Sequence, residues 1–204
     1  MSRRRVRLGG AAVLLTAALI TAGCSTSSTP DGQAQEGGTL TVAAAQGIPQ
    51  LNPAIRTFAW EEVLFPLLWN GLTKTDESGE VVGDLAESWE ASADQKTWTF
   101  TLRDGVTFSN GEDFTADDAV AAFDYYLDPD TATQEKNKIS MVTDVTAPDE
   151  KTVVVTLSEP IATFPAGIVW VKMIDVDALD TIDKEPIGTG PYVVDAFTPD
   201  DSLT

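Results

Sequence analysis

The chain has 204 residues, with 32 acidic residues against 13 basic ones and a formal net charge of −19 at pH 7. Such an acidic surface disfavours nucleic acid as a partner, and it also disfavours attachment to anionic lipids through a basic patch. The sequence has no histidine and one cysteine. It therefore offers no imidazole metal ligand, no imidazole general base and no internal disulfide.

The first 23 residues have the order of an export signal peptide. Arginines at 3–5 and 7 precede an apolar run over 11–20, and small residues lead into Cys24. The apolar run is about ten residues long, half of the ~20 that a helix needs to cross a bilayer, so a permanent transmembrane segment is the weaker alternative. The arginines are weakly similar to a twin-arginine signal, and the ordinary Sec route is favoured. We predict an exported protein with a signal peptide at 1–23.

Cys24 ends the tripeptide Ala-Gly-Cys, which resembles a bacterial lipobox. The resemblance implies that this cysteine is lipidated and becomes the mature N-terminus, although Thr21 stands where lipoboxes usually have leucine. Residues 24–38 are dominated by small and polar side chains with almost nothing to bury, which predicts a flexible tether. A free thiol at Cys24 is the less favoured alternative, because an exposed thiol outside the cell is readily oxidised.

Beyond the tether, the apolar periodicity switches repeatedly between strand and helix, which predicts an α/β domain. Apolar and β-favouring residues predict strands at 39–45, 81–89, 139–145, 152–157 and 192–197, and two hairpin strands within 97–108 around a turn at 103–105. Apolar residues three and four apart, or a proline that opens a turn, predict helices at 57–69, 116–127 and 165–170.

Two of the predicted helices have features of their own. The helix at 57–69 contains Pro66, which predicts a kink or an early stop. Its apolar face is expected to comprise Trp60, Val63, Leu64, Leu67 and Leu68. The helix at 116–127 begins with a capping box formed by Thr115 and Asp118. Its apolar stripe is expected to comprise Ala116, Val120, Phe123 and Leu127.

Six short motifs follow one another along the chain. They are LNPA from Leu51, NGL from Asn70, LAESW from Leu85, TWTFTLRDGVTFSNG from Thr97, FTADDAV from Phe114 and PIGTGPY from Pro186. Each motif alone predicts only a strand, a turn or a capped helix. Together, and in this order, they resemble family 5, the peptide and nickel class, of the extracytoplasmic solute-binding proteins of ABC importers.

The resemblance implies a periplasmic-binding-protein-like fold of type II, an α/β fold with mixed sheets and two lobes. It implies that 39–71 form the first part of the main lobe, 72–178 a β-rich subdomain of that lobe, and 179–204 the return to the main lobe. Members of the family are much longer than this chain. The expectation is therefore a truncated protein with an incomplete first lobe, an uncovered sheet edge and an exposed apolar patch.

In the resembled family, the solute lies between two lobes that close over it. By position, the resemblance implies that the loop at 46–52, the start of the following helix and the segment at 168–173 face this cleft. Trp170 offers a stacking surface and Lys172 a cation for a carboxylate. The structural alternatives are a helix-face Trp60, a core Trp170 and a surface Lys172. The candidate ligand contacts are Gln46, Asn52, Phe58, Trp60, Trp170 and Lys172.

The sequence does not favour catalysis. It has no GxSxG or HExxH motif, and its adjacent carboxylates at 61–62 and 117–118 diverge on a helix. We expect no catalytic residue, no metal site and no cofactor.

The predicted function is that of a monomeric, lipid-anchored receptor on the outer face of the cell membrane. The resemblance implies that it captures a peptide, or alternatively a nickel chelate or another small solute, and delivers it to the permease subunits of an ABC importer. With no imidazole ligand, a metal would have to arrive inside a chelator. The alternative from another class is a lipid-anchored docking module that binds no solute.

Overall fold

The computed structural model describes residues 39–43, 45–55, 59 and 61–204. The chain divides into two units, 1–42 and 43–204. All helices and strands in the described part of the chain lie in the second unit. In that described part, no helix combines the length and the apolar character needed to cross a membrane.

The helices and strands follow one another in a mixed order along the second unit. They are α1 (Glu61–Leu68), β1 (Thr73–Thr75), β2 (Val81–Gly83), β3 (Ala86–Ala91), β4 (Thr97–Leu102), α2 (Ala116–Leu127), α3 (Lys136–Ile139), β5 (Val142–Asp149), β6 (Thr152–Leu157), α4 (Phe164–Gly167), β7 (Phe197–Thr198) and β8 (Ser202–Leu203). Two 3-10 helices add to them, at Pro53–Ile55 and Val176–Thr181.

The largest sheet has four antiparallel strands in the order β3-β4-β6-β5. Its two central strands bury every second side chain, as the alternation of their sequences predicts. Helix α2 packs against β5 and β6, and the ring of Phe164 in α4 lies 6.4 Å from that of Phe100 in β4. The buried alternating residues are Trp98, Phe100 and Leu102 on β4 and Val153, Val155 and Leu157 on β6.

Helix α2 confirms the predicted start and the predicted extent. The Asp118 carboxylate accepts hydrogen bonds from the Thr115 backbone N–H at 2.7 Å and from the Thr115 hydroxyl at 2.8 Å. The buried face differs from the predicted stripe, because Val120 and Leu127 are only partly buried. The small residues of the helix let it approach the sheet closely. The buried residues are Ala116, Ala119, Ala122, Phe123 and Tyr126.

Helix α1 differs from its prediction in two ways. It continues for two residues after Pro66, so the expected early stop is wrong. Its buried face is formed by Glu61, Phe65 and Leu68, whereas Val63 is 76% exposed. Apolar residues lie on most sides of this short helix. The sequence pattern therefore did not show which side faces the core. Residues 57, 58 and 60 of the predicted helix lie outside the described residues.

The strand predicted at 39–45 is wrong for the described residues of that range. Residues 39–43 and 45 have no regular secondary structure, and Leu40 and Val42 are 87% and 79% exposed. An extended segment becomes a strand only where a neighbouring strand pairs its N–H and C=O groups, and alternation in the sequence does not supply that neighbour.

The strand predicted at 81–89 is interrupted between β2 and β3. The N–H groups of Asp84 and Leu85 donate to the carbonyls of Leu72 and Gly71, both at 3.0 Å, and so leave the ladder. Within the range 97–108, β4 ends at Leu102, and the predicted turn at 103–105 follows it, with a φ of +69° at Gly105.

The strand predicted at 139–145 begins later, at Val142 in β5, since Ile139 closes the short helix α3. The short helix predicted at 165–170 is α4, which begins at Phe164 and ends at Gly167. The strand predicted at 192–197 is wrong except for Phe197, which lies in β7. Tyr192 and Val193 are instead 65% and 68% exposed.

Three turns are stabilised by aspartate side chains. Ser78 donates through its hydroxyl to Asp76 at 2.7 Å, and Ser92 does so to Asp94 at 2.6 Å. The Asp149 carboxylate accepts from the backbone N–H two residues further on at 2.9 Å. These hydrogen bonds favour the ionised form and lower the pKa of all three carboxyl groups.

The free energy of unfolding is therefore expected to decrease in acid. Each folded-state pKa lies below the unfolded value, so its contribution is complete above about pH 4 and disappears as the pH falls through the folded-state pKa. Asp94→Asn is expected to lower the urea midpoint at about pH 6 and to show a smaller deficit at about pH 3, where the ionised form of Asp94 is less populated. Replacement of the exposed Glu159 by glutamine is the matched control. An equal deficit of Asp94→Asn at both pH values would contradict the assignment.

Candidate functional site

A cavity of about 210 Å³ lies where α1, β1 and the segment after α4 meet. Two of the residues predicted to contact a ligand, Trp170 and Lys172, line it together. Both charged and apolar groups face this space, a combination typical of small-solute sites. The lining residues are Glu62, Pro66, Lys74, Thr75, Asp84, Val169, Trp170 and Lys172.

Lys172 is buried, with 5% of its surface exposed, so it is not the surface lysine of the structural alternative. Its ammonium donates to the Val169 carbonyl at 3.2 Å, and its backbone N–H donates to the Tyr126 hydroxyl at 3.2 Å. Trp170 is partly exposed and is therefore not a core residue. The Lys138 ammonium lies 5.6 Å from the centroid of its ring. The cavity thus presents a cation and an aromatic face on the same segment.

The NGL motif holds this segment in place. Gly71 forms an antiparallel bridge with Lys172, and the Met173 N–H donates to the Asn70 carbonyl at 2.9 Å. Residues 169–174 are otherwise anchored by apolar burial of Val171, Met173 and Ile174. Trp170 and Lys172 both line the cavity, whereas Val171 between them is buried.

Asp84 connects the motif to the cavity wall. Its carboxylate accepts two contacts from the Asn70 side-chain amide, at 3.1 and 3.0 Å, and one from the Gly71 N–H at 3.1 Å. The Lys74 ammonium lies 3.0 Å from Asp84 Oδ1. Neither Asp84 nor Lys74 was predicted as a site residue from the sequence. The available signal was an aspartate placed between two strands, directly before the LAESW motif.

The GTGPY motif docks against the end of α1. The N–H of Gly190 donates to the Leu68 carbonyl at 2.9 Å, and the Trp69 indole N–H donates to the Ile187 carbonyl at 2.8 Å. A Cβ at Gly188 would lie 2.1 Å from the Leu68 carbonyl oxygen, so only glycine fits there. This turn therefore has a structural role at the end of α1.

Two other described residues predicted to contact a ligand, Gln46 and Asn52, do not line this cavity. Gln46 is exposed and does not line the cavity. Asn52 is buried, and its side chain donates to the Tyr125 hydroxyl at 2.8 Å and accepts from the Ala54 N–H at 3.0 Å. Its amide thus caps the 3-10 helix that follows. Phe58, Trp60 and Cys24 lie outside the described residues.

A second cavity, of about 290 Å³, borders the turn after β4. In its lining, the Lys151 ammonium donates a hydrogen bond to the Asp104 carboxylate, and this interaction raises the pKa of Lys151. Among the residues that the structure describes, no group of three cysteine, aspartate or glutamate side chains is placed to hold a metal ion.

Residues 80–204 match the model of a protein family described as bacterial extracellular solute-binding proteins, family 5 Middle. A putative ABC transporter peptide-binding protein of Brucella ovis is 34% identical over 162 residues, which cover 73% of this chain and 30% of that protein. The nickel-binding periplasmic protein of Escherichia coli is 34% identical over 167 residues, which cover 76% and 31%.

NikZ from Campylobacter jejuni, solved in complex with Ni(L-His), has a similar structure, with a TM-score of 0.67 and 27% identity over 74% of this chain and 31% of that chain. The likeness confirms the predicted α/β, periplasmic-binding-protein-like fold. The chain spans about a third of the length of the curated relatives that it matches. Its motifs, its fold and its match over more than half of its length agree, and the chain belongs to the family 5 bacterial extracellular solute-binding proteins.

Proposed function

We propose that this chain contributes the solute-recognition surface of a binding protein that serves an ABC importer. One relative is named as an ABC transporter peptide-binding protein and another as a nickel-binding periplasmic protein. The observation that carries the proposal is the joint placement of Trp170 and Lys172 on one cavity of about 210 Å³. An aromatic face beside a buried cation suits a small solute that carries a carboxylate.

The proposal includes the division of the chain into lobes. Residues 39–71 and 179–204 would belong to the main lobe, with 72–178 as the β-rich subdomain. The hydrogen bonds between α1 and the turn at 188–190 support a return of the chain to the region where the first segment lies. The proposal also includes export and a lipid anchor at Cys24, with permease subunits as partners.

A peptide is the proposed solute. The peptide-binding relative of Brucella ovis supports this class, and so does the presence of both acidic and basic residues in the lining, which suits a molecule with both charges. A nickel chelate is the second candidate, favoured by the nickel-binding relative and by the structure in complex with Ni(L-His). Because the chain has no histidine, the ion would arrive inside its chelator.

A random tripeptide mixture is expected to raise the melting temperature of the full chain. A ligand that binds only the folded state stabilises it by RT ln(1 + [L]/Kd), about 2.7 kcal/mol at a hundredfold excess over Kd. Trp170→Ala should abolish this shift. Trp89→Ala, which truncates a partly buried tryptophan outside the cavity lining, should retain it.

The same assay separates the candidate functions. A melting-temperature shift with the nickel–histidine complex, and none with the tripeptides, would indicate that the solute is a nickel chelate and not a peptide. No shift with either solute would favour the docking module instead of a solute receptor. A shift that survives Trp170→Ala would place the solute elsewhere on the chain.

A further inference from the structure

Lys74 contributes an ammonium group to the cavity from β1. Its nitrogen lies 3.0 Å from Asp84 Oδ1, and the two side chains differ sharply in exposure, at 52% and 8%. Within the described residues, Asp84 is the one partner of this ammonium. Because an ammonium has three N–H donors, two of them remain for a molecule in the cavity.

Asp84 has little acceptor capacity left. The Asn70 side-chain amide contacts both of its oxygens, and the Gly71 N–H donates to Oδ2. Together with Lys74, these donors surround the carboxylate with four contacts. In this pair of side chains, the groups that can still form hydrogen bonds are therefore the two remaining N–H donors of Lys74. The other charged lining residues, Glu62 and Lys172, are one acid and one base, so their formal charges cancel.

The ammonium is also held in place before a solute arrives. The Thr189 hydroxyl donates to the Asn70 side-chain oxygen at 3.1 Å, and the Asn70 N–H donates to the Thr189 hydroxyl at 3.3 Å. This chain of contacts runs from the GTGPY turn through Asn70 and Asp84 to Lys74. Such preorganisation lowers the entropic cost of ordering a long side chain when it binds.

We propose that Lys74 determines which solutes the cavity accepts, by contacting a carboxylate of the solute, and that Asp84 is the residue that positions it. The inference rests on the proposed solute-binding function and deepens it. It makes the free carboxylate of the solute, rather than its size alone, the group that is recognised. A charge-assisted hydrogen bond of this kind accounts for roughly a tenfold or greater preference in affinity.

The test compares two random tripeptide mixtures, one with free C-terminal carboxylates and one with C-terminal amides. Titration calorimetry on the full wild-type chain is expected to show about tenfold tighter apparent binding of the free acids. Lys74→Gln should reduce this preference to about one, and Lys74→Arg should restore most of it, because the guanidinium keeps the charge. Asp84→Asn should lower the preference in part.

Lys184→Gln is the matched control, because Lys184 is exposed and does not line the cavity. It should keep the wild-type preference. The ratio of the two affinities is the decisive readout, since a general loss of stability weakens both mixtures alike. Equal affinity of the wild-type chain for both mixtures, or an unchanged ratio in Lys74→Gln, would overturn this inference and leave the proposed function standing. Failure of both mixtures to bind would overturn it together with the peptide-binding function.

Discussion

Replacement of Gly188 by alanine is expected to destabilise the protein by about 3 kcal/mol. The new Cβ would lie 2.1 Å from the Leu68 carbonyl oxygen and 2.7 Å from Trp69 Cδ1, well inside van der Waals contact. The Leu68 carbonyl is backbone and already accepts the Gly190 N–H at 2.9 Å, so no rotamer change relieves the clash. The turn would have to leave the end of α1, and the Ser109 N–H would lose its hydrogen bond to the Gly188 carbonyl.

Urea unfolding followed by tryptophan fluorescence measures the loss of stability. In thermal unfolding, the melting temperature should fall by roughly 10 °C. Gly167→Ala is the matched control, because a Cβ there would meet no atom closer than the Lys138 carbonyl oxygen at 3.9 Å. Its change in stability should stay within about 0.5 kcal/mol. Similar midpoints for the two variants would show that the turn has room to move.

Replacement of Cys24 by serine is expected to release the chain from the membrane. The lipobox-like sequence before Cys24 and the polar stretch at 24–38 motivate the prediction. Each buried CH₂ of an attached acyl chain contributes about 0.8 kcal/mol of membrane affinity, and two or more chains give stable anchoring. Serine has no thiol to receive the lipid. The wild-type chain should therefore appear in the membrane fraction of an expressing bacterium, and Cys24→Ser in the soluble exported fraction.

Mass spectrometry of the mature N-terminal peptide provides the direct measurement, since a lipidated cysteine adds the mass of its acyl groups. Ser25→Ala is the control, because it changes the neighbouring hydroxyl and keeps the thiol. If Cys24→Ser remains in the membrane fraction as fully as the wild-type chain, the anchor lies elsewhere.

The sequence predicted correctly those helices and strands that are specified by patterns only a few residues long. The capping box of Thr115 and Asp118 places the start of α2, since both partners lie within one helical turn. The strict alternation in β4 and β6 places both central strands and their buried faces, because one face of each strand meets the core. The six motifs also identified the family, which the match over residues 80–204 confirms.

The predictions failed where pairing or packing with distant residues decides the structure. The strand predicted at 192–197 lacks a neighbour over most of its length, although its sequence alternates suitably. On α1, Phe65 faces the core and Val63 does not, because tertiary contacts select one side of a helix with apolar residues all around. The contact of the Asn52 amide with the Tyr125 hydroxyl was not predicted either, because the two residues lie far apart in the chain.

The candidate site combines both kinds of information. Trp170 and Lys172 were named from one short segment, and both line one cavity in the structure. Lys74 and Asp84 were not named, since their roles depend on contacts with Asn70 and with residues on other elements. The sequence by itself determined the family, the central strands and the capped helix, because those signals are local. Only the tertiary structure decided which charges meet at the cavity, because that choice depends on residues far apart in the chain.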